Sequence, residues 1–241
     1  MKSGQFNTSI RNAIKFFTDT NLLESTVYDF ALPTNKLFNK AALTANKYTD
    51  LYETGLSLSH YNVQIIDLSY FQFSYTSESD WALAYYPNPR ISGDVDAFHE
   101  YQDLKKSFKD EEITDEEFSE LASSFPANER IPRFRYEYSE NQYKAVKHPS
   151  AHFHIGLFGN DRWCVSRKIS PFTFALIITK HFYPETWWAR SRFSMDKDEW
   201  DKDEAKLDCL DALLVKSLQD DGVSGELHAE EKLTFHFSAL T

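Results

Sequence analysis

The sequence predicts an α+β fold: a central antiparallel β-sheet flanked by helices, with a helical N-terminus and an acidic helical C-terminal segment. Three observations carry this. Between Tyr61 and Ser166, short stretches alternate apolar and polar residues with the period of two that marks a half-buried strand. The returns between them are short and polar, without the strand–helix–strand alternation that a parallel sheet requires. The segments on either side carry apolar residues three and four apart, the spacing of a helix with one buried face. Hydrophobic residues make up 41% of the 241-residue chain and aromatics 16%, enough for one sizeable core. We therefore read residues 1–241 as a single domain. It has a helical part over 1–55, a sheet core over 56–190 with an acidic helical insert near 94–121, and a helix and final strand over 191–241.

Taken in order, Ser9 is placed to cap a first helix through Ile10, Ala13, Ile14 and Phe17. Pro33-Thr34-Asn35 opens a second helical region reaching about Leu51. The period then changes, and Tyr61–Asp67, Tyr70–Tyr75 and Trp81–Tyr86 read as a meander with a polar turn over Thr76–Asp80. Two prolines in Tyr86-Pro87-Asn88-Pro89-Arg90 stop the pairing and leave Asn88 and Arg90 on a rigid loop. Thr114-Asp115-Glu116-Glu117 has the form of a helix cap followed by first-turn carboxylates. Arg133–Tyr138 resumes the sheet. Ala151–Leu157 and Arg162–Ser166 follow as strands joined by the Gly159-Asn160-Asp161 turn. Ser170-Pro171 starts a helix that Tyr183-Pro184 ends, with Trp187-Trp188 packed beside the core. Leu207, Leu210, Leu214 and Leu218 give a docking face to a helix over Asp196–Leu218. Leu233, Phe235, Phe237 and Ala239 alternate as a last strand, in which His236 is structural or exposed.

Cys164 and Cys209 are too few and too distant for a disulfide framework or a cysteine zinc site. The N-terminus has no apolar signal core and no run has membrane-spanning length, so the chain is expected to be soluble, cytoplasmic and free of membrane. The net charge of -11 argues against general coating of nucleic acid, yet the charge is uneven. Asp94 to Glu120 holds eleven acidic residues against three lysines. Arg130 to Lys168 holds eight basic residues against three acidic. That basic stretch suits a phosphate-bearing ligand such as RNA, or an ordinary solvated strand pair.

Inside it, His148-Pro149-Ser150-Ala151-His152-Phe153-His154 puts three of 8 histidines within seven positions. Alternation sets Ala151, Phe153 and Ile155 on one strand face and His152 and His154 on the other, their projections parallel and roughly 6–7 Å apart. Pro149 cannot join a ladder, which leaves His148 in the loop before the strand, able to fold back on the pair. Such imidazoles shuttle protons near neutral pH, bind a divalent metal, or form a structural hydrogen-bond network. The candidate catalytic set is His148, His152, His154 and Arg162. His148, His152 and His154 are also the candidate ligands of a divalent metal. Tyr86, Asn88, Arg90, Arg133 and Arg135 are candidate substrate contacts, and Glu137 or Asp161 would supply an outer carboxylate.

Four blocks in this order resemble an uncharacterised bacterial family known as domain of unknown function 2290. They are Asp67-Leu68-Ser69-Tyr70-Phe71-Gln72-Phe73, Tyr85-Tyr86-Pro87-Asn88-Pro89-Arg90, the His148 to Gly156 run, and Ser170-Pro171 through Phe182-Tyr183-Pro184. The likeness spans about Leu56 to Trp187 and implies no activity. Arg133-Phe134-Arg135-Tyr136 with the histidine group is also similar to small TumE-type toxins, and that likeness implies a role in toxin–antitoxin conflict or phage defence.

Two functions follow as expectations. One is a histidine-dependent phosphodiester-cleaving enzyme, RNase-like or metal-dependent. The other is a non-catalytic interaction module for a protein partner, its histidines structural. No phosphate loop, dinucleotide fingerprint, Gly-x-Ser-x-Gly elbow or His-Glu-x-x-His motif is present.

Overall fold

Alternation in the four longest strands sets the layout of the computed structural model, which describes residues 1–131, 133–157, 162–192, 209–225 and 227–231. Among the described residues the strands form one antiparallel sheet in chain order: β1 (Leu23–Thr26), β2 (Val63–Ile65), β3 (Tyr70–Ser77), β4 (Asp80–Tyr86), β5 (Phe134–Ser139), β6 (Ala151–Ile155) and β7 (Trp163–Cys164). The α+β reading holds.

One face of the sheet carries Phe71, Phe73, Trp81, Leu83, Tyr85, Tyr136, Tyr138 and Ala151 into the main core. Helix α1 (Ser3–Asp19) presents Phe6, Ile10, Ala13 and Phe17 to this face, and α6 (Pro171–Phe182) presents Phe174, Ala175 and Ile178. Each such aromatic or branched side chain, taken out of water, contributes about 1.5–3 kcal/mol. Ser170 caps α6 by accepting from the Thr173 N–H at 3.3 Å, with Pro171 in the first turn.

The opposite face is divided. At one end Tyr70, Ala84 and Tyr86 pack under α2 (Lys36–Thr44) and α3 (Tyr48–Ser57) through Phe38, Tyr48, Leu51 and Tyr52. Beyond them the cross-strand rows read Gln72, Ala84, Arg135, His154 and Ser74, Ala82, Glu137, His152, Cys164. Ser74, Ala82 and Ala84 are short, so a cleft of about 280 Å³ stands over them, bounded by Phe38, Asn39 and Ala42 of α2 and by Arg135 and Glu137. The acidic insert forms α4 (Val95–Lys109) and α5 (Asp115–Ser124) around a small cluster of its own: Ile91, Tyr101 and Phe125. Thr114 and Glu117 make the reciprocal cap of α5.

Several expectations need correction. Ser9 lies inside α1, which starts at Ser3, and its hydroxyl accepts from the Phe172 N–H at 2.9 Å, tying α1 to α6. The second helical region is two helices, broken at Ala45–Lys47. The Tyr61–Asp67 strand shortens to Val63–Ile65, because the chain turns at once through Leu68 N–H to Ile65 O and Ile65 N–H to Ser69 O. The Arg162–Ser166 strand shortens to Trp163–Cys164. Trp187 is buried, whereas Trp188 sits at the surface. Tyr183 ends α6, and α7 (Pro184–Arg192) begins directly after it. The last described helix, α8 (Cys209–Asp221), packs Leu210 and Leu214 on the core. The Gly159-Asn160-Asp161 turn, the first part of the Asp196–Leu218 helix, the last strand and His236 lie outside the described residues. Among the described residues no helix is long and apolar enough to cross a membrane.

Candidate functional site

The β5–β6 pairing assembles the site. Glu137 faces His152 and Arg135 faces His154 across the two strands, so two imidazoles, a carboxylate and a guanidinium share one patch. The loop before β6 is tied by the Lys144–His148 bridge, with Lys144 N–H to His148 O at 2.9 Å and His148 N–H to Lys144 O at 2.7 Å. Pro149 ends that bridge and turns its carbonyl inward, where it accepts from His152 Nδ1 at 2.9 Å. A carbonyl only accepts, so Nδ1 carries the hydrogen and Nε2 of neutral His152 is a bare lone pair. Gly156 closes the strand at φ +92°, a conformation that favours glycine. There its backbone N–H bonds the Arg133 carbonyl at 2.9 Å.

His152 Nε2 and His154 Nε2 lie 3.0 Å apart. Glu137 Oε2 is 3.7 Å from the first and Oε1 3.7 Å from the second. Arg135 Nη2 holds Oε1 at 2.7 Å. Glu137, His152 and His154 are the His, Cys, Asp or Glu group among the described residues whose ligand atoms fall within 4.8 Å of one another. The His148 ring packs edge-on against His152, centroids 5.0 Å apart, outside that group. Among the described residues, three buried polar atoms around the cluster have no hydrogen-bond partner: Nδ1 of His148, Nδ1 of His154 and Nε of Arg162.

Burial opposes charge on both Glu137 and His152, with opposite outcomes. For Glu137, burial would raise the carboxyl pKa, but the neighbouring His154 and the Arg135 guanidinium pull it down to about 2. For His152, burial and then the neighbouring His154 push the imidazole down to about 4. Burial and the Arg162 charge also lower His148. At neutral pH the patch therefore holds an anionic carboxylate beside a neutral imidazole whose Nε2 accepts from the His154 Nε2–H; an ion ligated by both rings would take the place of that hydrogen. Two nitrogens on one first-row ion, each about 2.0–2.1 Å from it, sit roughly 3.0–3.4 Å apart, which matches the His152–His154 separation. The Nδ1 hydrogen bond to the Pro149 carbonyl is the outer contact that fixes a ligating ring.

Of the residues singled out from the sequence, His148, His152, His154 and Arg162 come into one neighbourhood. Arg135 stands directly on the site, and Arg135 and Tyr86 both line the cleft. The histidines lie beside the cleft behind Glu137, with His152 fully buried and His154 5% exposed. The other three substrate candidates are engaged elsewhere. Asn88 is buried, donating to the Asp67 carbonyl at 3.0 Å and accepting from the Arg90 N–H at 2.9 Å. Arg90 bonds the Phe125 carbonyl at 2.7 Å and Glu53 at 3.1 Å. Arg133 is buried, its Nε on the Gly156 carbonyl at 3.2 Å. Glu137, assigned an outer place from sequence, faces both histidines directly. Its alternation with Arg135 and Tyr136 was visible, but its pairing with His152 needed the strand register.

The family model described as "Uncharacterized conserved protein (DUF2290)" matches residues 21–239. The chain belongs to this family. No curated protein and no solved structure matches it. Membership in DUF2290 thus accounts for nearly the whole chain without assigning a reaction, and the chemistry rests on the site itself.

Proposed function

We propose that this protein is a divalent-metal-dependent hydrolase acting on a phosphodiester, with Glu137, His152 and His154 as the metal ligands. The observation that carries the reading is the facing of two Nε2 atoms 3.0 Å apart and one carboxylate 3.7 Å from each. A bound divalent ion would supply a water of lowered pKa as nucleophile. Arg135 and Arg162 contribute guanidinium charge for a phosphate, and His148, kept neutral by burial and by Arg162, accepts a proton. The basic stretch from Arg130 to Lys168 makes single-stranded RNA the first substrate to try, and the likeness to TumE-type toxins makes a toxin–antitoxin or phage-defence setting the first to test. A cytoplasmic location belongs to the same proposal, supported by the buried thiol of Cys164.

The test is cleavage of a fluorescent single-stranded RNA and of bis(p-nitrophenyl) phosphate by untagged protein, with Zn²⁺, Mn²⁺ or Mg²⁺ and with EDTA. Metal-dependent cleavage that disappears in His152→Ala and Glu137→Gln and weakens in Arg162→Lys supports the proposal. Absence of cleavage with every metal, or cleavage unchanged in these variants, refutes it.

A second reading has its own observations. His152 is fully buried and bonded to a carbonyl and a second imidazole, while Leu37 and Leu43 of α2 stand 65% and 87% exposed. In that reading the histidines brace the sheet and α2 meets a protein partner. Its signature is a lower melting temperature in His152→Ala with no activity to lose.

A further inference from the structure

Asp67 sits in the turn between β2 and β3, beside Leu68 at φ +64°. Its buried carboxylate accepts from the Ser69 N–H at 3.0 Å and from the Tyr183 hydroxyl at 2.8 Å. The Tyr85 and Tyr183 hydroxyls are 2.7 Å apart; Tyr183 spends its hydrogen on Asp67, so Tyr85 donates to Tyr183. Asn88 closes the group, its backbone N–H on the Ser69 hydroxyl at 2.9 Å. Three sequence blocks, Asp67 to Phe73, Tyr85 to Arg90 and Phe182 to Pro184, thus converge on one carboxylate that Glu137 and the histidines do not use. The Ser69 N–H and the Tyr183 hydroxyl both donate to it, as they would to an anion.

Among the described residues no Lys, Arg or His forms an ion pair with Asp67. A buried charge without a counter-charge costs several kcal/mol, which hydroxyl and amide donors offset only in part. Burial raises its pKa above the ordinary carboxylate value, and the hydrogen bonds from Ser69, Tyr183 and Ser92 offset that rise only in part, so a bound cation would also favour the ionised form. Asp67 is one of the residues lining a pocket of about 310 Å³ whose walls include Leu22, Ile66, Ile91, Phe98 and Phe182. Asp94 and Glu185 also line it, with His99 as the basic residue. The volume is at the lower end for small-molecule sites, about 300 Å³.

We propose that this pocket binds a small organic cation, its ammonium directed to Asp67 and its apolar body lying against Leu22, Ile91, Phe98 and Phe182. The site is separate from the Glu137–histidine cluster and does not rest on its chemistry. Charge complementarity selects the cation over a neutral ligand of the same shape, because only the cation supplies the counter-charge.

Calorimetric titration of the full chain with phenethylammonium chloride, beside neutral 2-phenylethanol and with EDTA present, tests this. The ammonium compound should bind at least about tenfold more tightly than the alcohol, a difference that Asp67→Asn removes. Val95 lines the same pocket and is 64% exposed, so Val95→Trp should block binding without unfolding the chain. This keeps the proposal testable if Asp67→Asn fails to fold. No binding up to millimolar concentration, equal binding of amine and alcohol, or full binding by Val95→Trp would overturn it.

Discussion

Acidifying the metal-free protein from pH 7 to pH 4 should remove stability through His152, by an amount the structure sets. The ring is fully buried, and burial, then His154, take its pKa from the ordinary 6.5 to about 4. Between those values the unfolded chain binds a proton that the folded chain refuses, so falling pH favours unfolding. The contribution is fully present above pH 6.5 and is lost as pH falls through 4. At about 1.4 kcal/mol per tenfold change in proton affinity, the displacement is worth roughly 3 kcal/mol. Solvent screening and local relaxation would reduce this to about 2 kcal/mol. Glu137 works in a lower window: its depressed carboxyl stabilises above its ordinary 4.5 and loses that contribution as pH falls through about 2. His60 and His148 are lowered as well and add to the first window. Urea unfolding followed by tryptophan fluorescence at pH 7, 6, 5 and 4 in EDTA measures this, with His152→Gln as the reference. The wild type should lose about 2 kcal/mol more than the variant between pH 7 and 4. Parallel loss in the two proteins would refute the reasoning.

Gly55→Ala would place a methyl carbon 2.0 Å from the Tyr70 hydroxyl oxygen and 2.6 Å from its ring. Tyr70 is stacked between Tyr52 and Tyr86, so we expect a loss of about 2 kcal/mol despite the gain in helix propensity; an unchanged thermal midpoint contradicts that packing. Arg135→Ala removes the cation that competes for Glu137 Oε1. Zinc affinity in a chelator competition should rise while the Glu137 carboxyl, followed by carbon NMR, titrates above its present value of about 2; weaker binding would make Arg135 an orienting group. Replacing Glu111, Glu112 and Glu116 by Gln should move urea stability by no more than about 0.5 kcal/mol, since all three are exposed. Thr114→Ala should cost about 1 kcal/mol through the lost cap.

The sheet was legible where one face is buried and the other polar. Phe71 and Phe73, Trp81 to Tyr85, Phe134 to Tyr138 and Ala151 to Phe153 alternate because a pleated strand separates its faces, and their boundaries fall within a residue or two. Ser170-Pro171 and Thr114 were readable for the same local reason, since a cap needs only its own turn. Ser9 misled because a mid-helix hydroxyl bonded to Phe172 N–H looks in sequence like a cap. Asn88 and Arg90 read as free loop residues because their partners, Asp67, Glu53 and Phe125, lie far away in sequence. The histidine face was visible from alternation alone. Glu137 as its direct partner depends on the register that sets Tyr138 opposite Ala151, which no local signal specifies.

Metal stoichiometry tests the central claim most directly. Untagged protein, dialysed in turn against Zn²⁺, Mn²⁺ and Fe²⁺ and then against metal-free buffer, is assayed by plasma mass spectrometry beside a folded His152→Ala/His154→Ala variant. The account predicts about one tightly held divalent ion per chain in the wild type and loss of that ion in the variant, because only Glu137 would remain to bind it. A wild type that retains no ion of any kind, or a folded variant that retains as much, would contradict it.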